Sequence, residues 1–211
     1  MSLAPHMLVM SEPATGEPDA IESIGHVVGI AAVIVAIAGL ALSIGIAEDF
    51  SLQDNALSDL GDPGVDAAWL FNGTAVLGGL LATIFFMTLI RRLNNVYQRI
   101  GVGLFGLAGV SLIGVGLFPL GQPLHLPASA GFFLCVTIGL IVVGYGDRQM
   151  GRERRSKIAW NLALLHIIAW AFAYMALEGV ALPELVGVAV YGIWILITVV
   201  QRGRFILRPP V

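Results

Sequence analysis

The sequence lacks the charge that a water-soluble domain needs. Only 12% of its 211 residues are charged, about half of the roughly 25% found in soluble domains. That scarcity excludes a solvated surface around most of the chain. Cysteine is nearly absent as well. Cys135 is the single one, so an intramolecular disulfide and a cysteine-based zinc site are both excluded. Basic residues are missing from the first stretch. Glu12, Glu17, Asp19 and Glu22 precede the first apolar run with no Lys or Arg among them, unlike the positively charged start of a secretory signal peptide. The His6-Met7 pair fits a cloning remnant as well as native sequence, and His6 carries no argument. Connections are short except for residues 48–66, so no loop can hold a globular domain.

What is present is apolar: 57% hydrophobic residues, with 26 glycines. Six continuous apolar stretches cover residues 24–47, 67–90, 100–118, 126–145, 158–177 and 182–200. Each is about 18–24 residues long, enough for a helix to cross a hydrocarbon core of about 30 Å. A membrane barrel would instead show segments of about ten residues with alternating polarity. The expected fold is therefore all-α, a polytopic bundle of six transmembrane helices. It divides the chain into an acidic tail at 1–23, a transmembrane domain at 24–201 and a short basic tail at 202–211. Prolines punctuate the ends: Asp62-Pro63-Gly64 before the second helix, Pro119 after the third, Pro123 and Pro127 at the start of the fourth, Pro183 at the start of the sixth.

The basic residues set an expected orientation. Arg91, Arg92 and Arg99 lie between helices two and three. Arg148, Arg152, Arg154, Arg155 and Lys157 lie between four and five, and Arg202, Arg204 and Arg208 follow six. A six-helix topology puts all 11 Lys and Arg on one side. The positive-inside rule makes that side the cytoplasm, with both termini on it and the chain in the cell membrane. The opposite side is acidic, with Glu48, Asp49, Asp54, Asp59, Asp62 and Asp66 in or beside the first outer loop and Glu178 and Glu184 at the last outer turn. Topology accounts for the arginines, so nucleic acid is not an expected partner. Membrane lipids are, and a second copy or a partner membrane subunit fits the same surface.

Several motifs need weighing. Gly101-Val102-Gly103-Leu104-Phe105-Gly106 matches a dinucleotide fingerprint but has no preceding strand, and its glycines fit close helix packing instead. Asn72-Gly73-Thr74 matches a glycosylation acceptor but lies inside an apolar helix, where Asn72 fits a polar contact near the outer interface. His166, Trp170, Tyr174 and Glu178 recur every four residues along the fifth helix. They read either as a binding stripe lining a cavity or as structural and interfacial residues. His125, between Pro123 and Pro127, reads either as a general base or metal ligand held by a stiff turn, or as a solvated loop histidine. His26 and His166 differ by roughly 9 Å in depth, which fits haem ligation poorly. No cofactor and no metal are assigned. Ser58 and Asp59, in Asn55-Ala56-Leu57-Ser58-Asp59-Leu60-Gly61, fit either the cap of a short interfacial helix or a site.

Leu57-Ser58-Asp59-Leu60-Gly61, then Trp69-Leu70-Phe71-Asn72-Gly73, then Gly114-Val115-Gly116-Leu117-Phe118-Pro119 leading to His125, together resemble a prokaryotic six-helix membrane family. That family is catalogued as domain of unknown function number 998. The resemblance spans about residues 24 to 204. It implies the same six-helix architecture and recurring residues at the outer helix ends, here Ser58, Gly61, Asn72, Pro119 and His125. It implies no activity and no cofactor.

Three functions remain. The first is a non-enzymatic accessory, lipid-binding or sensing bundle. The second is a membrane-embedded hydrolase or transferase acting on a lipid-like substrate at the outer leaflet. There Ser58 would be the nucleophile, His125 the base and Glu178 the orienting carboxylate, with Asp59 and Asn72 as binding residues. In a variant, His125, Asp59 and Glu178 hold a metal that activates water. The third is a small transporter with Trp170, Tyr174 and His166 along its path.

Overall fold

A computed structural model describes residues 20–66 and 68–206. The acidic residues Glu12, Glu17 and Asp19 and the basic Arg208 lie outside them, as do the side chains of Glu22, Arg202 and Arg204. The elements are α1 (Ala20–Ile46), a short 3-10 helix (Leu57–Gly61), α2 (Ala68–Ile90), α3 (Val96–Leu117), α4 (His125–Gln149), α5 (Glu153–Ala176) and α6 (Ala181–Ile206). All six α-helices are long and apolar enough to cross a membrane, and no strand occurs among the described residues. The chain is an all-α membrane protein with six candidate transmembrane helices.

The helices outrun the apolar stretches where polar residues continue them. Asn95 starts α3 four residues before its apolar run, its Oδ1 accepting the Tyr97 and Gln98 N–H groups at 3.0 and 3.1 Å. This cap satisfies donors that a helix start leaves unpaired. α4 likewise runs on to Gln149, past Asp147 and Arg148.

Each helix packs on its chain neighbours, and α6 also packs on α1, which closes the ring. Buried aromatics fill the middle. Phe86 stacks on Phe105 at 5.2 Å and Phe132 meets Tyr191 edge-on at 5.4 Å. The Tyr191 hydroxyl donates to the Phe105 carbonyl at 2.8 Å. Large apolar side chains such as Leu126, Leu164 and Ile168 cover the outside. Lipid is as apolar as these residues, so burial drives such helices together weakly, and close packing matters more. The α2–α3 contact is a clear case. A Cβ on Gly109 would stand 2.9 Å from the Gly79 carbonyl oxygen. The dinucleotide-like run lies inside α3, where a Cβ on Gly101 would meet the Val143 backbone at 2.8 Å. Gly103 and Gly106 have ordinary room, with nearest atoms at 3.8 Å.

The arginine-rich end holds a buried charge network. Asp147 of α4 is fully buried. Its Oδ1 accepts from Gln98 of α3 at 2.6 Å, and its Oδ2 lies 2.7 Å from Nε of Arg155 on α5. Arg155 also donates to Gln201 and, at 3.3 Å, to Thr198, both on α6. Its guanidinium sits 4.7 Å above the Trp194 ring, a cation–π contact. One carboxylate and one guanidinium thus tie four helices together. Arg155, expected only as a topology marker, is half-buried and joins α5 to α4 and α6.

Removing one member strands the other in a buried place. Asp147→Ala is expected to destabilise the folded protein by about 3–5 kcal/mol. Asp147→Leu combined with Arg155→Met should recover much of that loss. Thermal unfolding in a mild detergent measures both, and a single variant as stable as the parent refutes the role.

A cavity beneath the 3-10 helix

The 47–66 connection folds back over the bundle and is fastened to the start of α6. The Val180 and Ala181 N–H groups both donate to the Asn55 carbonyl, at 2.9 and 2.7 Å, and the Gly179 N–H donates to the Gln53 carbonyl at 2.7 Å. These bonds satisfy donors at the start of α6, and the connection gains a fixed place. Glu184, in the first turn of α6, accepts the Leu57 N–H at 2.6 Å through Oε2. Asp59 accepts the neighbouring Ala56 N–H at 2.9 Å and the Asn55 side-chain amide at 3.0 Å. Asp59, in the first turn of the short helix, thus reaches back to the N–H of its N-cap residue Ala56. Ser58 is left buried, and no hydrogen bond engages its hydroxyl among the described residues.

Asn72 holds this helix from the other side. Its Nδ2 donates to the Gly61 carbonyl at 2.9 Å. A Cβ on Gly61 would stand 2.4 Å from Asn72 Oδ1 and 2.8 Å from the Phe71 ring. A side chain there would push Asn72 and Phe71 aside, which accounts for a glycine at the end of Leu57-Ser58-Asp59-Leu60-Gly61 facing Phe71-Asn72. A Cβ on Gly116 of α3 would meet the Asn72 carbonyl oxygen at 2.4 Å. The three sequence segments that carry the family resemblance meet at this corner.

Beneath the 3-10 helix lies a cavity of about 70 Å³ bounded by α1, α2, α3, α4 and α6. Its walls are mostly apolar, with Phe132 and Phe133 among them. Four polar side chains join the lining: Ser58, Thr74, Ser129 and Glu184. Beside it, on the acidic end, a surface depression of about 410 Å³ is lined by Glu48, Asp49, Asp59 and Asp66 among others. Among the described residues, no group of three or more His, Cys, Asp and Glu side chains is arranged to hold a metal ion.

His125 is neither in a loop nor solvated. It is the first residue of α4 and is buried. Its Nδ1 lies 2.8 Å from the Phe118 carbonyl oxygen. A carbonyl only accepts, so in the neutral ring Nδ1 carries the hydrogen and Nε2 is an acceptor. Ser129, one turn along α4, places its Oγ 3.5 Å from that Nε2 and lines the cavity. The serine beside His125 is thus Ser129. Ser58 borders the same cavity from another side.

Glu178 is not brought to this site. α5 ends at Ala176, and Glu178 is exposed in the following turn, outside the cavity lining. The buried carboxylate here is Glu184. The stripe on α5 does not stay on one face either. A four-residue step advances about 40° around a helix, so Tyr174 lies about 80° from His166. His166 is accordingly buried, Trp170 half-buried and Tyr174 94% exposed. The His166 ring is fully satisfied. Trp170 Nε1–H donates to its Nε2 at 2.9 Å, which leaves the ring hydrogen on Nδ1, 2.8 Å from the Thr137 hydroxyl. That hydroxyl donates to the Phe133 carbonyl at 3.0 Å. A Cβ on Gly187 would stand 2.7 Å from Nε2, so α6 presses directly on the ring. Phe133 contacts His166 on one side and borders the cavity with the other.

Thr74, Ser129 and Glu184 were not legible as site residues. Each is one polar residue in an apolar run, and only the fold brings them to one place. Glu184 did carry a signal, as a carboxylate one residue after Pro183 inside the first turn of a helix.

No curated protein and no solved structure matches the chain. Residues 30–201 match one family, described as Protein of unknown function (DUF998). With that much of its length matched, around this corner and the helices that build it, the chain belongs to the DUF998 family.

Proposed function

We propose that the chain is a non-enzymatic membrane bundle that binds an amphiphile, with an apolar segment of a membrane lipid in the cavity beneath the 3-10 helix. The observation that carries this reading is the cavity lining. Apolar walls with a few convergent polar groups are the usual make-up of a small-molecule site. A volume of about 70 Å³ suits a short part of a chain rather than a whole lipid. Sensing or accessory roles follow if occupancy alters the fastening of the 3-10 helix to α6.

A second reading is acyl transfer, favoured by His125 and Ser129. The Phe118 carbonyl orients the imidazole, and Nε2 is free to take a proton from Ser129 at the cavity wall. Ser129 Oγ would bond to the carbonyl carbon of a lipid ester while its proton passes to Nε2. The ester C–O bond would then break as that proton moves to the departing alcohol. Ser129 replaces Ser58 as nucleophile in this reading, and a backbone carbonyl replaces Glu178 as orienting group.

We also propose that the arginine-rich end faces the cytoplasm of a prokaryotic cell and the acidic end faces out. Arg91, Arg92, Arg148, Arg152 and Arg154 gather at one end of the ring, away from Glu48, Asp49 and Asp66. The positive-inside rule supports that orientation.

Filling the cavity tests the first reading. Ala75 and Val188 line it. Ala75→Phe and Val188→Phe should each lower lipid retention about tenfold, the equivalent of about 1.4 kcal/mol, in binding assays with radiolabelled phospholipid. Leu126→Phe, on the outer surface, should retain lipid like the parent. Equal retention by folded cavity variants and parent refutes the reading.

For acyl transfer, a long-chain fluorophosphonate should form an adduct at Ser129 seen by peptide mass spectrometry. His125→Ala should slow it roughly a hundredfold, the scale of general-base catalysis. An intact parent protein without adduct sinks it.

Orientation is read with an impermeant maleimide in a Cys135→Ser background. Glu178→Cys should react in intact cells and Met150→Cys only after permeabilisation. The reverse order overturns it.

A further inference from the structure

Among the described residues Glu184 meets no cation. It is only 7% exposed, and its single hydrogen bond is the one from the Leu57 N–H. Among the described residues, no Lys, Arg or His pairs with it. The ion pairs formed by Arg152, Arg155 and Lys157 all lie at the opposite end of the bundle. A second carboxylate, Asp59, accepts from the adjacent Ala56 N–H, so two acidic groups converge on consecutive backbone groups of one turn. The adjoining depression adds Glu48, Asp49 and Asp66. The contrast with Asp147 is direct. That carboxylate is fully buried and has a guanidinium at 2.7 Å. A buried carboxylate is costly to hold charged, so without an internal cation it either carries a proton or takes its cation from a ligand, and an ionisable group at membrane depth points to the second.

We propose that Glu184 is the counter-ion for a ligand cation, and that the cavity takes amphiphiles carrying a primary ammonium group at the end of an alkyl chain. The inference rests on the amphiphile-binding reading and gives it a substrate class. An ammonium has three N–H donors and no acceptor. Glu184 takes one. Ser58, Thr74 and Ser129 line the same cavity, and a hydroxyl can accept another of these donors. Phe132, Phe133 and the aliphatic lining face the alkyl segment. A small ammonium also suits the limited volume better than a bulky headgroup. The acidic depression outside raises the local concentration of cations at the mouth, a steering effect that weakens with salt.

The test compares two probes that differ only in the headgroup, decylamine and decanol, on the full chain in lipid nanodiscs. Near neutral pH the amine is protonated. Binding is read by displacement of a radiolabelled lipid. The parent should bind decylamine about tenfold or more tighter than decanol, as a charge-assisted hydrogen bond gives. In Glu184→Gln the preference should fall to within about twofold. The glutamine oxygen can still accept the Leu57 N–H, so the 3-10 helix stays fastened, and unchanged decanol binding checks this. If the parent binds both probes equally, the counter-ion role is overturned while the cavity survives as an amphiphile site. If neither probe displaces lipid, the cavity reading falls and takes this inference with it. If Glu184→Gln keeps the full amine preference, the cation sits elsewhere and the assignment to Glu184 is wrong.

Discussion

A polar group inside a bilayer must find its partner within the protein, because hydrocarbon offers none. That constraint organises this chain. Helices satisfy the backbone, and the few polar side chains are then forced together across helix boundaries. Asp147 and Arg155 join α4 and α5, with Gln98 from α3 and Thr198 and Gln201 from α6. His166, Trp170 and Thr137 form a closed chain of donors and acceptors between α5 and α4. Tyr191 donates to an α3 carbonyl in the middle of the aromatic core. Because apolar burial drives these helices together weakly in lipid, such contacts and the glycine approaches decide which faces meet.

The His166 network leaves nothing over for a ligand. The His166 ring has both nitrogens engaged and α6 against it at Gly187. It acts as a three-helix contact and as the far wall behind Phe133. The acidic end differs. There the polar groups fasten the 47–66 connection, yet hydroxyls and a carboxylate are left facing a cavity. A buried polar group with capacity to spare is expensive. At this corner the polar side chains line a cavity, whereas the Ser156 hydroxyl and the Trp194 Nε1–H, also without a hydrogen-bond partner, lie outside that lining.

The six helices were legible because their signal is additive over about twenty residues each, far more than one substitution can hide. Asn72 was legible as a polar contact near the helix end, and Asp59 as a capping side chain, since both depend on local chemistry. The rest depends on three dimensions. Arg155 read as one of five basic residues in a loop, because nothing local distinguishes a charge that turns inward from one that meets water. His125 read either as a base or metal ligand held by a proline-stiffened turn or as a solvated loop residue, because proline is tolerated in a first helical turn and the sequence does not show that α4 begins at His125 itself. The α5 stripe was misleading for a geometric reason. A four-residue repeat drifts around a helix, so its later members, Tyr174 and Glu178, end in the open.

Asp147 and Glu184 condense these points into one comparison. Both are carboxylates buried near an end of the ring, and both accept one short hydrogen bond at 2.6 Å. At the basic end the chain supplies a guanidinium, and the result is a rigid joint among four helices. At the acidic end it supplies hydroxyls, a backbone N–H and empty space. The same buried charge that stabilises a joint when it is paired becomes a recognition element when the pairing is left to a ligand. The two ends thus differ, among the described residues, in a single respect, the presence or absence of a cation within reach of a buried carboxylate.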